Sequence, residues 1–312
     1  MITDFGADMP FGRIPQKLRE HHGIEVPVSS AQAITQGHAA QVLQAELEKL
    51  ETDIPDQAGV ACLIVEMDGS MIPTVTTEAG EVEGVAIDRR TTRKIGWQEA
   101  RLGLSRTPEQ SVPIFGATFG TADEAGEQLL GAAIRTGLGE TTYVHGVGDG
   151  APWIAEQIAK RIGKPGAYLI DFYHLCEYLA AASSVCAPTD AAAWLKQQKK
   201  RLKHNHSQAV LKALRPFLEA DTVDDKKAPV RAAYRYMNNR LDQLDFKGAL
   251  AAELPIGSGE IESAHRYVIQ QRLKRAGSWW TVEKAWDMLA LRVLRENQDW
   301  QAYWDSCSTK VA

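Results

Sequence analysis

Three apolar runs that each stop at an aspartate do most to limit what this chain can fold into. They are Gly59-Val-Ala-Cys-Leu-Ile-Val-Glu-Met-Asp68, Thr141-Thr-Tyr-Val-His-Gly-Val-Gly-Asp149 and Gly166-Ala-Tyr-Leu-Ile-Asp171. Short, nearly continuous apolar runs read as strands covered on both faces, here with a carboxylate at each exit. After the second run, Gly150, Ala151 and Pro152 open a helix that continues to Arg161, with proline at its first turn. After the third, Phe172-Tyr-His174 leads straight into another helix.

The remaining pattern completes an element order. Two further extended stretches are expected around residues 94–104 and 113–119, then a helix over 122–136. Three strands followed by helix, strand, helix, strand, helix is the order of an α/β, ribonuclease-H-like fold, a mixed sheet flanked by helices. Residues 176–250 show helix formers and no convincing strand, and are read as an all-helical insertion. The sheet domain then closes with a helix after Pro255-Ile-Gly-Ser-Gly259, running through Glu262, His265 and Arg272, and a final amphipathic helix over 281–296.

The chain begins with a helical segment that reads as separate from the sheet. A helical pattern over 14–22 is broken by Gly23, and Ser29 is a candidate N-cap for a second helix through Ala31, Ala33 and Ile34. A further helix over 39–50 ends at a Pro/Asp/Gly break over 53–59. Helix, glycine turn, helix is a candidate helix-turn-helix for DNA. The divisions are therefore 1–52, a helical N-terminal segment; 59–175, the first part of a catalytic domain; 176–250, the insertion; and 251–312, the last part of the catalytic domain.

Composition narrows the classes. With 312 residues, 44% of them hydrophobic, the chain can fill a sizeable core. No leader pattern and no stretch of roughly 18 apolar residues is present, so a cytoplasmic, membrane-free location is expected. Cys62, Cys176, Cys186 and Cys307 form no C-x-x-C pair and are read as reduced and structural. The net charge of -5 does not advertise a nucleic-acid binder, but its distribution does. Residues 191–218 carry no acid at all, while Lys196, Lys199, Lys200, Arg201, Lys203, Lys212 and Arg215 are basic, with His204 and His206 among them. Arg266, Arg272, Lys274 and Arg275 form a second cluster, and Arg89, Arg90, Arg93 and Lys94 a third. Basic surface is needed only where a phosphate backbone runs, although each cluster alone also fits a solvated helix face.

Two carboxylates at the ends of adjacent strands and a third from a helix across the sheet can converge although far apart in sequence. Like charges a few ångströms apart raise each other's pKa unless cations neutralise them. Hard oxygen donors suit Mg²⁺ or Mn²⁺, and two such ions about 3.5 to 4 Å apart support in-line displacement at a phosphodiester. Asp68, Asp149 and Glu262 are the candidate catalytic and metal-binding set. Glu260 competes with Glu262, and because residues two apart on a helix diverge, only one of them faces the cluster. Each aspartate taken singly also fits a turn or helix cap.

These residues lie within motifs that resemble a known family. Val65-Glu-Met-Asp68-Gly-Ser-Met-Ile-Pro73, Trp97-Gln-Glu-Ala-Arg-Leu-Gly103, Gly148-Asp149-Gly-Ala-Pro-Trp-Ile154, Asp171-Phe-Tyr-His174, Pro255-Ile-Gly-Ser-Gly-Glu-Ile-Glu262-Ser263 and Gln271-Arg-Leu-Lys-Arg275 occur in order from about residue 60 to the C-terminus. The chain resembles the ISKra-type insertion-sequence transposases, a bacterial DDE group related to the Mutator-like transposases. The resemblance implies metal-dependent DNA cleavage and strand transfer, with Glu262 rather than Glu260 as third carboxylate. It implies an accessory active-site role for Asp171 and His174, and a grip on transposon-end DNA by the insertion, including Lys196, Lys199, Lys200, Arg201 and Lys203. Arg272, Lys274 and Arg275 are read with them as DNA-binding. The implied partners are double-stranded DNA, as terminal inverted repeats and target, and a second copy of the chain, in a bacterial cytoplasm at the nucleoid. The N-terminal segment is short for this family, so part of the end-recognition region is expected to be missing. Trp279 and Trp280 fit either stacking on an unpaired base or packing of the last helix. Two rival readings stay open: a DNA-binding protein of transposase descent that does not cut, and an unrelated metal- or carboxylate-dependent hydrolase of a small phosphate ester or glycoside.

Overall fold

The computed structural model describes residues 1–77, 81–82, 85–86, 91–163 and 166–309. Its centre is a five-stranded mixed sheet of β1 (Cys62–Thr76), β2 (Lys94–Arg106), β3 (Ile114–Thr118), β4 (Tyr143–Gly148) and β5 (Gly166–Ile170), in the order β3-β2-β1-β4-β5. The first three strands are antiparallel, and β4 and β5 run parallel to β1. Residues 81–82 and 85–86 form a small separate pair.

Alternation along the strands decides which helices cover which face. Leu63, Val65 and Met67 point to one side and pack with Ala125, Leu129 and Ala133 of α4 (Ala122–Thr136) and with Ile154 and Ile158 of α5 (Pro152–Arg161). The start of α4 is fixed by a reciprocal capping box: the Thr121 side chain accepts from Glu124 N–H, and the Glu124 carboxylate accepts from Thr121 N–H. On the opposite face Ile72, Leu102 and Leu104 pack with α11 (Gly259–Ala264), the π-helical turn His265–Gln270 and α13 (Val282–Glu296). Between them runs α12 (Gln271–Leu273).

Residues 176–250 contain no strand. There α6 (Phe172–Cys186), α7 (Ala191–Leu202), α8 (Ser207–Leu214), α9 (Pro229–Asn238) and α10 (Phe246–Ala251) gather around Leu179, Leu211, Leu214, Val230, Met237 and Phe246, and this core reaches back to Leu169 and Ile170 of β5. None of the helices among the described residues is long and apolar enough to cross a membrane. All four cysteines are free thiols.

Three expectations need correction. β1 does not end at Asp68 but continues to Thr76, because β2 keeps pairing with it through Thr76↔Lys94; only its parallel partner β4 stops. The two helices read across 29–50 are one helix, α3 (Val28–Lys49), with Pro27 rather than Ser29 at the N-cap position and no side-chain cap, and it follows α1 (Ile2–Asp8) and α2 (Ile14–His22). α13 is followed by α14 (Trp300–Thr309), whose Tyr303 hydroxyl donates to Gln41 of α3.

Nor does the N-terminal segment stand apart. Ala7, Ala39 and Val42 belong to the same buried cluster as Leu289, Leu291 and Val293 of α13. Asp8 pairs with Arg292, whose side chain is 5% exposed, and Arg295 reaches Asp4 at 2.5 Å. A carboxylate placed between α3 and α13 has no partner there, so Val42→Asp is expected to cost about 3 kcal/mol and shift the whole urea transition. A main transition left unmoved, with loss of helical signal from the N-terminal segment alone, is the result a separate domain would give.

Candidate functional site

The sheet register brings the aspartates level with one another. The β1/β4 pairing ends at Glu66↔Val147, and two residues further along both strands stand Asp68 and Asp149. The β4/β5 pairing ends at Gly148↔Ile170, so Asp171 follows at the same level on the next strand. By alternation Glu66, Asp68 and Asp149 share the face covered by α11.

Asp68 is half-buried, and its carboxyl is pushed up to about 6, first by burial and then by Asp149, Glu262 and Glu99, against a hydrogen bond from Gly69 N–H that favours the charged form. Asp149 accepts from Ala151 N–H at 2.8 Å and so opens the turn into α5. The insertion grips the following turn from outside: the Tyr236 hydroxyl donates to Asp149 O at 2.6 Å, and Arg240 Nε donates to Gly150 O at 2.9 Å. Gly150 is required here twice over, by φ +85° and because a Cβ would come within 2.6 Å of the Tyr236 hydroxyl.

Glu262 is exposed on α11 and near enough to Asp68 to act on its charge. Glu260, two residues earlier, is turned away and forms an ion pair with Arg106 at 2.7 Å. The helix then widens into the π-turn, which sets His265 beneath Asp68, with a ring nitrogen 3.5 Å from Asp68 Oδ2. Burial pulls the His265 ring down to about 4, so it is neutral at physiological pH. Single π-turns inside helices are frequent where a side chain must be re-aimed at a site.

Two carboxyls fix α11 to the sheet. Asp171 is 3% exposed and fully employed: Oδ1 accepts from Tyr173 N–H and His174 N–H as the N-cap of α6, and Oδ2 accepts from Ser258 N–H at 2.6 Å and Ser258 Oγ at 2.8 Å. Its place is therefore at a joint, with no lone pair turned toward Asp68 or Asp149. Glu66 is 1% exposed and accepts from Ile261 N–H at 2.8 Å. Neither role shows in the local pattern, although an acid inside an otherwise apolar run was a signal for Glu66. Glu99 was also passed over: its carboxylate lies against Gly69, where a Cβ would approach Oε1 to 2.2 Å, and it pairs with Arg101.

His174 is part-exposed, 3.5 Å from Glu177, and its ring meets those of Tyr178 and Tyr236, one residue removed from the Asp149 turn. Lys196, Lys200 and Lys203 are exposed and Lys199 and Arg201 half-buried along and just after α7, with Lys203 Nζ 5.0 Å from the Phe172 ring at the start of α6. Lys274 and Arg275 are exposed. Arg272 departs from the expected surface contact: it is 1% exposed, donates through Nε to Gly6 O, and lies against the rings of Phe11 and Trp280 at 4.6 and 4.7 Å, in the corner these two edge-on rings form. Trp280 is a core residue, whereas Trp279 is 42% exposed beneath the Arg93 guanidinium. Arg89 and Arg90 lie outside the described residues.

The donor chemistry of Asp68, Asp149 and Glu262 fits a hard divalent cation, since the charges of Asp149 and Glu262 add to burial in raising Asp68, and such an ion would offset both. As placed, no three Asp, Glu, His or Cys side chains among the described residues close around one point.

Burial raises the Glu66 carboxyl from 4.5 to about 8. The unfolded chain loses this proton first, so in metal-free protein the stability is full below about pH 4.5 and falls as pH rises through about 8. Glu66→Gln, which keeps an acceptor for Ile261 N–H, is expected to flatten that slope in urea titrations across pH 5–8. An unchanged slope would show Glu66 ionised in the folded chain. Asp171→Ala removes both the cap and the Ser258 anchor; a loss of about 2–4 kcal/mol is expected, with faster amide exchange at Ser258 and Ile261.

A search of curated proteins finds no match. Among solved structures, a chain of the Drosophila P element transposase strand transfer complex aligns with 96% of this chain and 79% of its own length, at 9% identity and a TM-score of 0.31, a likeness too low to argue from. The model of the family described as Uncharacterised protein family (UPF0236) matches residues 137–302, a span that includes Asp149, Asp171, the helical insertion and Glu262. That is more than half of the chain, and the protein belongs to this family.

Proposed function

We propose that the protein is a DDE transposase of the ISKra type on a ribonuclease-H-like fold, cutting and joining DNA strands with Asp68, Asp149 and Glu262. The observation that carries this reading is the register: it sets two aspartates side by side at the open end of β4, and Asp68 responds to the charges of both Asp149 and Glu262. The antiparallel-then-parallel strand order β3-β2-β1-β4-β5 supports the fold assignment, and the motifs around the three acids support the family type.

Mg²⁺ or Mn²⁺, as a pair of ions held by the three carboxylates, would activate the attacking oxygen and stabilise the leaving one. The protein's own part is positional. β1 and β4 hold Asp68 and Asp149 at one level, Glu66 and Asp171 anchor the helix of Glu262, and Tyr236 and Arg240 brace the Asp149 turn from the insertion. Neutral His265 lines the buried side of Asp68 and adds no charge there. Lys196, Lys199, Lys200, Arg201 and Lys203, with Lys274 and Arg275, supply phosphate contacts for double-stranded DNA. Joining two transposon ends to a target calls for two copies of the chain on the DNA, at the nucleoid of a bacterial cytoplasm.

The test is cleavage of a labelled duplex carrying the flanking terminal inverted repeats, with Mg²⁺, Mn²⁺ or EDTA. Asp149→Ala and Glu262→Gln are expected to reduce cutting on the order of a hundredfold or more, and Glu260→Gln, which breaks only the pair with Arg106, far less. Binding without cutting under every metal condition would instead favour a DNA-binding protein of transposase descent. In the same series, replacing Lys199 and Lys200 together by Gln is expected to reduce the slope of log affinity against log salt by about two. An unchanged slope would remove α7 from the DNA interface.

A further inference from the structure

On the helix formed by α11 and the π-turn, His265 is a buried side chain that packing does not explain. Ile261, Ala264, Val268 and Ile269, its buried neighbours along the helix, are apolar, and His265 among them is 3% exposed. Both of its ring nitrogens are closed off from solvent, and among the described residues neither has a hydrogen-bond partner. A buried polar group left in that state costs on the order of 1–3 kcal/mol, so an aliphatic side chain would serve the fold better. Among the described residues, Asp68 alone is an acid within ion-pair reach, with its Oδ2 3.5 Å from Nε2.

We propose that His265 is a positioning residue, whose Nε2–H donates to Asp68 Oδ2 and fixes the plane in which Asp68 offers its oxygens. The inference rests on the reading of Asp68 as a carboxylate that holds a cation. The other oxygen, Oδ1, already accepts from Gly69 N–H at 2.7 Å. The gap to Nε2 is roughly half an ångström more than a normal N–H···O separation. A small turn about the soft carboxylate torsion closes it, and hydrogen bonds that serve a site are often long before it is filled. Once made, the bond pins the carboxylate at both oxygens. Each oxygen has two lone pairs, so one N–H on each leaves another free for a cation. Glu262 and His265 stand three residues apart, about one turn, so the helix anchored by Glu66 and Asp171 sets both one acid of the centre and the donor that aligns another. Hydrogen bonds that orient ion-holding side chains in this way are typically worth about 10–100-fold in metal affinity.

Mn²⁺ binding to the whole chain, without DNA, is to be followed by the electron paramagnetic resonance of the free ion in the unmodified protein, His265→Leu, His265→Gln and Asp68→Asn, with urea unfolding of each in EDTA. His265→Leu is expected to weaken binding about tenfold or more while metal-free stability stays equal or rises, and His265→Gln, whose amide can return an N–H to the place of Nε2, to recover most of the affinity. A histidine that only fills space would instead lose affinity and stability together, with no recovery in His265→Gln. Nitrogen-15 NMR of the ring reads the bond without any change at His265: the Nε2–H form is expected, with an Nε2 shift that moves in Asp68→Ala. That variant separates the carboxylate from the Asp68 carbonyl, since the Asp68 backbone also acts on the ring. The Nδ1–H form, a shift indifferent to Asp68→Ala, or Mn²⁺ affinity untouched in His265→Leu overturns the inference and leaves the metal reading of Asp68 standing. No Mn²⁺ binding by the unmodified chain, or binding that Asp68→Asn leaves unchanged, overturns both.

Discussion

The whole candidate site depends on how one short helix is tied to one sheet. α11 has only six residues before it passes into the π-turn, too few to hold its own direction, and its first turn is held instead by two buried carboxyls. Asp171 anchors Ser258 just ahead of the helix, and Glu66 takes the Ile261 N–H inside it. The two anchors come from different strands, β1 and the end of β5, so the helix cannot tilt without breaking one of them. Glu262 is exposed, yet its backbone follows directly on the second fixed point and donates to Ser258 O, the first, at 3.3 Å.

The same logic operates on the Asp149 turn, with the insertion as the outer clamp. Tyr236 and Arg240 belong to a helical unit with its own core, and they bind the carbonyls of Asp149 and Gly150 rather than any side chain. A change in how the insertion packs is thereby transmitted to the backbone of one carboxylate. His174 and Tyr178 extend this contact into a ring cluster that joins the first turns of α6 to α9. On the proposed reading, a segment that holds DNA is thus mechanically continuous with the residues that would act on it.

What the sequence made legible was local, and what it hid was long-range. Periodicity placed the strands, the helix over 122–136 and the strandless region 176–250, because each is decided by neighbours within a few residues. The spacing of Glu260 and Glu262 already required that they diverge, and their partners, Arg106 and the Asp68 neighbourhood, follow from that. The continuation of β1 past Asp68 was hidden because a glycine after an acid looks like a turn, while the evidence against a turn lies on β2, thirty-odd residues away. The accessory place that the resemblance implied for Asp171 came without its means, because the anchoring of Ser258 that goes with the α6 cap depends on a segment 87 residues away. Arg272 read as a surface cation because nothing near it in sequence announces Phe11 or Gly6.

Charge segregation reconciles an acidic chain with a phosphate-binding reading. The carboxylates that define the centre are gathered where strand ends bring them together, and the Asp68 carboxyl is raised first by its burial and then by the charges of Asp149, Glu262 and Glu99. The cations sit elsewhere, on the exposed side of α7 and after α12, and so do not quench the acids. Had the basic residues paired with Asp68 or Asp149, the centre would be neutral without a metal and the surface would have lost its attraction for a phosphate backbone. Arg106 on Glu260 shows the alternative: an acid two residues from Glu262 that is already satisfied, and for that reason unavailable to a cation. On the proposed reading, separation of the two charge types, rather than the sign of their sum, is what would let one chain attract a polyanion at its rim and hold a cation at its centre.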